Sequence, residues 1–100
     1  MNKTDLRQTA AQLHAAWHST VIGRAGGAQL KVLRMDGQPY AAECHPFDEA
    51  LLVLEGELRL DMGDEVLPVR AGEVVVVPAG QPHAVARGSW GTLVIVDGVE

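Results

Sequence analysis

The sequence predicts an all-β sandwich or barrel carrying one N-terminal helix, and three observations carry that prediction. Short apolar segments recur down the chain from about residue 28, each closed by Gly or Pro. Val74 to Val77 is a run of four β-branched residues, which suits a strand covered on both faces. Only residues 4–18 show helical spacing, with Leu6, Ala10, Leu13 and Trp17 forming one apolar stripe.

Taken in order, Thr4 is placed to cap the helix, with Asp5 in its positive first turn. Gly23, Gly26 and Gly27 then break regular structure. Ala28 to Met35 reads as a strand closed by the turn pair Asp36-Gly37. Pro39 to His45 follows, then the long segment Glu49 to Met62, then Glu65 to Arg70, Val74 to Val77, His83 to Arg87 and Thr92 to Val96. The long segment carries a parity conflict. Glu49, Leu51 and Val53 are odd, whereas Leu58, Leu60 and Met62 are even, and both sets should face inward. A bulge or bend near Glu55-Gly56 reconciles them. No linker or repeat divides the chain, so residues 1–100 are read as one domain, with the helix over 4–18 and the barrel over 28–97.

Composition narrows the function. The formal net charge is −5, and the eight Lys and Arg residues are scattered, so neither nucleic acid nor an anionic membrane has a basic patch to grip. No apolar run approaches the ~20 residues of a membrane helix. Charges interrupt residues 1–7 where a secretory leader needs an apolar run, and Cys44 is the single cysteine; a cytoplasmic location is expected. Cys44 reads as a buried small hydrophobe, and Trp17 and Trp90 as core or interface anchors.

The candidate chemistry lies in four residues. Glu43 and His45 are two apart on a strand and share a face. Glu49 follows a short turn, and His83 follows the Pro78-Ala79-Gly80 turn. Two imidazoles and two carboxylates brought together suit a divalent first-row metal. Spacing alone ties only Glu43 to His45. Arg87, four residues beyond His83, is a candidate for holding an anionic group of a substrate. His14 and His18, at i and i+4 of the helix, read as solvated residues.

The stretch from Gly37 to Arg87 resembles the cupins. Their first motif is matched by Gly37, five residues, Glu43-Cys44-His45, three residues, Glu49, six residues and Gly56. Their second is matched by Gly72, five residues, Pro78-Ala79-Gly80, two residues, His83, three residues and Arg87. Glu43 stands where that family usually has its first histidine, and Arg87 where it often has asparagine. The resemblance implies a double-stranded β-helix (jelly-roll) barrel, a homodimer, and a metal set of Glu43, His45, Glu49 and His83. The extra carboxylate shifts the site towards Mn, Fe(II) or Zn and away from Cu(I), and the expected cofactor is a divalent Mn, Fe, Zn or Ni ion. A second arrangement is a facial set of His45, Glu49 and His83, leaving Glu43 as a catalytic general base. The function so implied is a small metal-binding protein, with isomerase, decarboxylase and dioxygenase chemistries on a small polar metabolite all open. The alternative is a non-catalytic barrel that binds or senses a small ligand and has lost its metal chemistry.

Overall fold

In the computed structural model, which describes residues 1–98, the chain forms one short helix and eight strands. The last two positions of the expected domain, 99 and 100, lie outside the described residues. Helix α1 spans Leu6–Gln12, and the strands are β1 (Thr20–Ala25), β2 (Ala28–Asp36), β3 (Tyr40–Glu43), β4 (Glu49–Asp61), β5 (Val66–Arg70), β6 (Val74–Val77), β7 (His83–Val85) and β8 (Trp90–Gly98). All the pairings are antiparallel.

The sheet curls into two halves that share β4. The first half of β4 lies between β6 and β8, with Ala50 opposite both Val76 and Val96. From β8 this half continues to β2 and then β1. The second half of β4 lies between β5 and β7, with Leu60 opposite both Leu67 and Val85, and β7 continues to β3. Leu51, Val53, Leu33, Leu93 and Ile95 from one half meet Leu58, Leu60 and Val69 from the other in one core, which closes the jelly roll.

The bend that parity demands is present. The register of β4 against β8 shifts between Val53 and Glu55, after which the inward residues change from odd to even numbers. Gly56 sits at φ +87° directly opposite Gly91 at φ +104°. A Cβ on Gly56 would stand 2.0 Å from the Trp90 carbonyl oxygen, and one on Gly91 would stand 2.0 Å from that of Glu55. The two strands cross backbone to backbone, and no side chain fits between them.

Two elements differ from the sequence expectation. The helix ends at Gln12, because the chain turns extended at Leu13 and passes through Trp17 at φ +67°. The apolar stripe is thereby split between two cores. Leu6 and Ala10 pack on Val32, Val94 and Leu52 on the outer face of the sheet, whereas Trp17 joins the barrel interior. Asp5, rather than Thr4, caps the helix by accepting from the Gln8 amide. Arg34 donates to the carbonyls of Ala10 and Leu13, satisfying the other end. Because the helix stops short, the exposed His14 and His18 are not a helical i, i+4 pair. The second difference is β1, which forms where glycines were expected to break structure. Gly23 sits within its bulge, and Gly26-Gly27, both at positive φ, make the turn into β2.

Replacing Gly56 with Ala should destabilise the protein by at least ~3 kcal/mol, since strain at positive φ adds to a backbone clash. Chemical denaturation monitored by circular dichroism would show it, and a midpoint equal to wild type would refute the close-crossing account of the bend.

Candidate metal centre

Four elements deliver the site. Glu43 closes β3 and faces His83, the first residue of β7, as its register partner. Glu49 opens β4 in the opposite half of the sheet. His45 lies in the loop between β3 and β4. That loop is pinned to the turn before β7: the Gly80 amide donates to the His45 carbonyl at 2.9 Å, and the Ala79 amide to Asp48 Oδ1 at 2.9 Å. Asp48 is therefore a loop clasp. The backbone of one motif holds the backbone of the other, and this brings together side chains nearly forty residues apart in sequence.

Glu43, His45 and His83 each offer a ligating atom within 4.8 Å of the others. His45 Nε2 lies 2.9 Å from Glu43 Oε2 and 3.9 Å from Glu49 Oε2. His83 Nε2 lies 3.3 Å from Glu49 Oε1. Glu49 and His83 are buried, each about 7% exposed, whereas Glu43 and His45 are partly open. The His45 ring stacks on Phe47 with centroids 5.0 Å apart and planes 7° apart, which fixes its orientation.

The hydrogen bonding of His83 tests whether this set suits a cation. Its Nδ1 lies 3.0 Å from the Gln81 carbonyl oxygen. A carbonyl only accepts, so Nδ1 carries the proton. In the neutral ring Nε2 is then a bare lone pair, and it faces the carboxylate oxygen of buried Glu49. Two acceptors at 3.3 Å in an apolar wall repel unless a proton or a cation lies between them. A second nitrogen tied to a backbone carbonyl is also the usual support of a metal-ligating imidazole. Glu43, His45 and His83 thus offer a donor set that suits a divalent cation, with Glu49 standing against both imidazoles.

The four residues form one end of a cavity of about 280 Å³. Leu33, Leu51, Leu58, Leu60, Leu93 and Ile95 make its apolar walls. Trp17 and Tyr40 stand in the same lining, their rings 5.5 Å apart. The unusual backbone of Trp17 is held by two bonds: its amide donates to the Arg34 carbonyl at 2.9 Å, and its Nε1–H to Asp36 Oδ1 at 2.7 Å. The indole bond, followed by one from the Gln38 amide, holds the Asp36 carboxyl below its ordinary value.

Two expected residues are placed elsewhere. The structure does not bring Arg87 to the cavity. Strand β7 ends at Val85, so the alternation that would share a face with His83 stops short, and the exposed Arg87 donates to Gln38 Oε1 at 3.2 Å. Cys44 is exposed and not buried, because β3 ends one residue before it. In the other direction, the cavity contains a polar pair that sequence reading passed over, Lys31 and Asp97. The parity of Lys31 with inward Leu33 and Met35 was the available signal.

A family model described as the cupin domain matches residues 32–98. The chain belongs to the cupin family. Among solved structures, a cupin-2 domain protein from Shewanella frigidimarina is 22% identical, with a TM-score of 0.86, covering 96% of this chain and 94% of that one. A protein from Neisseria meningitidis is 26% identical, with a TM-score of 0.82, covering 98% and 100%. One from Thermus thermophilus is 26% identical, with a TM-score of 0.75, covering 98% and 97%. No curated protein matches. This cupin has no helix among its described residues long and apolar enough to cross a membrane.

Replacing Trp17 with Phe should raise the Asp36 pKa towards 3.8, as followed by NMR titration of the carboxyl carbon. A depressed carboxylate stabilises the fold above its ordinary pKa and loses that effect as pH falls through the lower, folded value. The stability gap between wild type and the Phe variant should therefore narrow below about pH 4. An unmoved Asp36 pKa would contradict the indole bond as its main cause.

Proposed function

We propose that this cupin is a metal-dependent protein whose divalent ion is held by His45, His83, Glu49 and Glu43, and whose substrate is a small polar metabolite taken into the cavity. The observation that carries the reading is the convergence of ligating atoms of Glu43, His45 and His83 within 4.8 Å of one another, with His83 Nδ1 committed to Gln81 and its Nε2 3.3 Å from Glu49. When bound, a divalent ion supplies Lewis acidity towards a ligand oxygen.

The chain's own residues divide the remaining work. Glu49 and His83, the buried members, fix position. His45 is oriented by Phe47. Glu43 is the most exposed of the four, with its side chain about 39% open, and it stands 2.9 Å from His45. In the arrangement in which His45, Glu49 and His83 alone hold the ion, Glu43 is the group free to take a proton from a bound ligand and return it. The leucine and isoleucine walls lower the effective dielectric around the charged groups. Isomerase-type proton transfer next to a held oxygen is the chemistry whose parts are all present.

The reading includes pairing with a second copy in the cytoplasm. Val74 and Val76 of β6 are 58% and 60% exposed. They continue, beside Ala50 and Val96, the sheet face that α1 covers further along. An exposed apolar strip of this kind marks an association surface. A light-scattering mass near twice the 10.7 kDa of one chain is expected, and a monomer at tens of micromolar would exclude the pairing.

Metal content of gently purified, untagged protein tests the main proposal. About one divalent ion per chain is expected, with almost none in the His45→Ala/His83→Ala protein. Saturating metal should also raise wild-type stability, by ~2.7 kcal/mol at a hundredfold excess over Kd. That corresponds to a Tm increase on the order of 10 °C for a chain of this size. No uptake of Mn, Fe(II), Ni or Zn by the wild type would overturn the proposal.

A further inference from the structure

The cavity is charged at one end and hydrocarbon at the other, and the strands that line it pass from one to the other in step. On β4, Glu49 is followed on the inner face by Leu51, and on β7 His83 is followed by Val85. On β8, read in the opposite direction, Asp97 opposite Glu49 gives way to Ile95 opposite Leu51, and then to Leu93. Lys31 of β2 stands level with Ile95, but its Nζ reaches back to Asp97 Oδ2 at 2.7 Å, and Leu33 follows it level with Leu93. A step of two residues along a strand is about 7 Å, so the change from charge to hydrocarbon falls within the length of one small molecule.

Trp17 completes the hydrocarbon end. Its backbone is at φ +67°, a left-handed conformation that a bulky residue adopts only under constraint. Two bonds supply the constraint, from the Trp17 amide to the Arg34 carbonyl at 2.9 Å and from Nε1–H to Asp36 Oδ1 at 2.7 Å. The only polar atom of the indole is thereby engaged by an exposed carboxylate, and what the ring leaves to the cavity is hydrocarbon. Backbone strain of this kind is kept where the surroundings over-determine it, and it clusters at ligand clamps. Tyr40 stands beside the indole with ring centroids 5.5 Å apart, and it pairs in register with Val85.

This asymmetry selects among ligands. A sugar or polyol laid along the cavity would set hydroxyls against Leu33, Leu60, Val85 and Leu93, which offer neither a donor nor an acceptor. A hydrocarbon body at that end would leave water without losing a hydrogen bond. The polar lining residues outside the charged end, Ser19 and Tyr40, are exposed to solvent.

We propose that the ligand of this cavity is polar at one end only, with an oxygen head at the Glu43–His45–His83 end and a compact hydrocarbon body, a single ring or a short branched chain, lying against Trp17, Val85 and Leu33. Trp17 is the specificity residue for that body and takes no part in holding the head. This deepens the proposed function by naming the class of its metabolite, and it rests on the same cavity being the ligand site.

Benzyl alcohol and erythritol have equal numbers of non-hydrogen atoms, but the first carries a single hydroxyl beside a ring and the second a hydroxyl on every carbon. Each is titrated into the protein as purified, and indole, amide and methyl NMR shifts are followed. Benzyl alcohol should move the Trp17 indole N–H and the Val85 and Leu33 methyls, and should bind at least about tenfold more tightly than erythritol. Trp17→Ala should cut that preference at least about threefold. Trp90→Ala should leave it unchanged, since that ring is 57% exposed and outside this cavity. Should Trp17→Ala fail to fold, Val85→Thr puts a hydroxyl at the hydrocarbon end with little change of size, and should cut the preference likewise. Equal affinities, a preference for erythritol, a wild-type spectrum that benzyl alcohol leaves unmoved, or an unchanged preference in the folded variants would overturn the inference. Metal content is measured on the same samples. A metal-free protein that keeps the preference would fail the metal reading and leave the ligand class standing, whereas a metal-loaded protein that prefers erythritol would do the reverse.

Discussion

The crossing of Glu55-Gly56 over Trp90-Gly91 is the constraint on which the rest of this molecule depends. Strand β4 is thirteen residues long and serves both halves of the curled sheet. It can do so only if its inward side changes parity midway, which requires an extra residue and a sharp bend. Two glycines at positive φ let the backbones approach to a distance that a single Cβ would forbid. The bend turns Glu49, Leu51 and Val53 towards the same interior that receives Leu58 and Leu60. Without it, either the carboxylate at the head of β4 or the leucines at its tail would face solvent, and the barrel would lose its site or its core.

The site is built across the gap that this bend closes. Glu43 and His83 come from one half of the sheet, Glu49 from the other, and His45 from the loop between them. Nothing in the local geometry of β3 alone would hold His45, since the strand ends at Glu43. It is held because the loop carbonyl and Asp48 accept from the turn at Ala79-Gly80. The short spacings between the motif residues and the Gly-Pro turns are therefore mechanical requirements. They set where two backbones meet, and the ligating side chains follow from that.

How much of this was legible in the sequence depended on which physical signal each residue carried. The bend was legible because parity is a strict rule of strands and one long segment broke it. The association of Glu43, His45, Glu49 and His83 was legible only through the spacing shared with the cupins, because convergence across two sheet halves leaves no local periodicity. Strand β1 was hidden by its glycines, which serve a bulge and a two-residue turn and do not end the structure. The helix was overextended because Trp17 continued its apolar stripe by spacing, yet it belongs to a different core reached through a left-handed residue. Arg87 was aligned with His83 by an alternation that ends at Val85. Asp97 was missed because an aspartate after an apolar run reads as the end of a strand, whereas β8 continues through Gly98.

The last of these omissions bears on how the interior is organised. A small jelly roll can fill its interior with apolar side chains, and most of this one does. The exceptions are not scattered. Glu43, His45, Glu49 and His83 form one cluster, and Lys31 and Asp97 adjoin it through the Glu49–Asp97 register. Polar groups buried at random would each need separate compensation, whereas grouped ones can compensate one another and a shared occupant. Within this group the internal pairing is incomplete at two atoms, His83 Nε2, which faces another acceptor, and Asp97 Oδ1, which faces none. The first needs a proton or a cation between the two groups, and the second is sealed in the wall of the barrel beside Lys31.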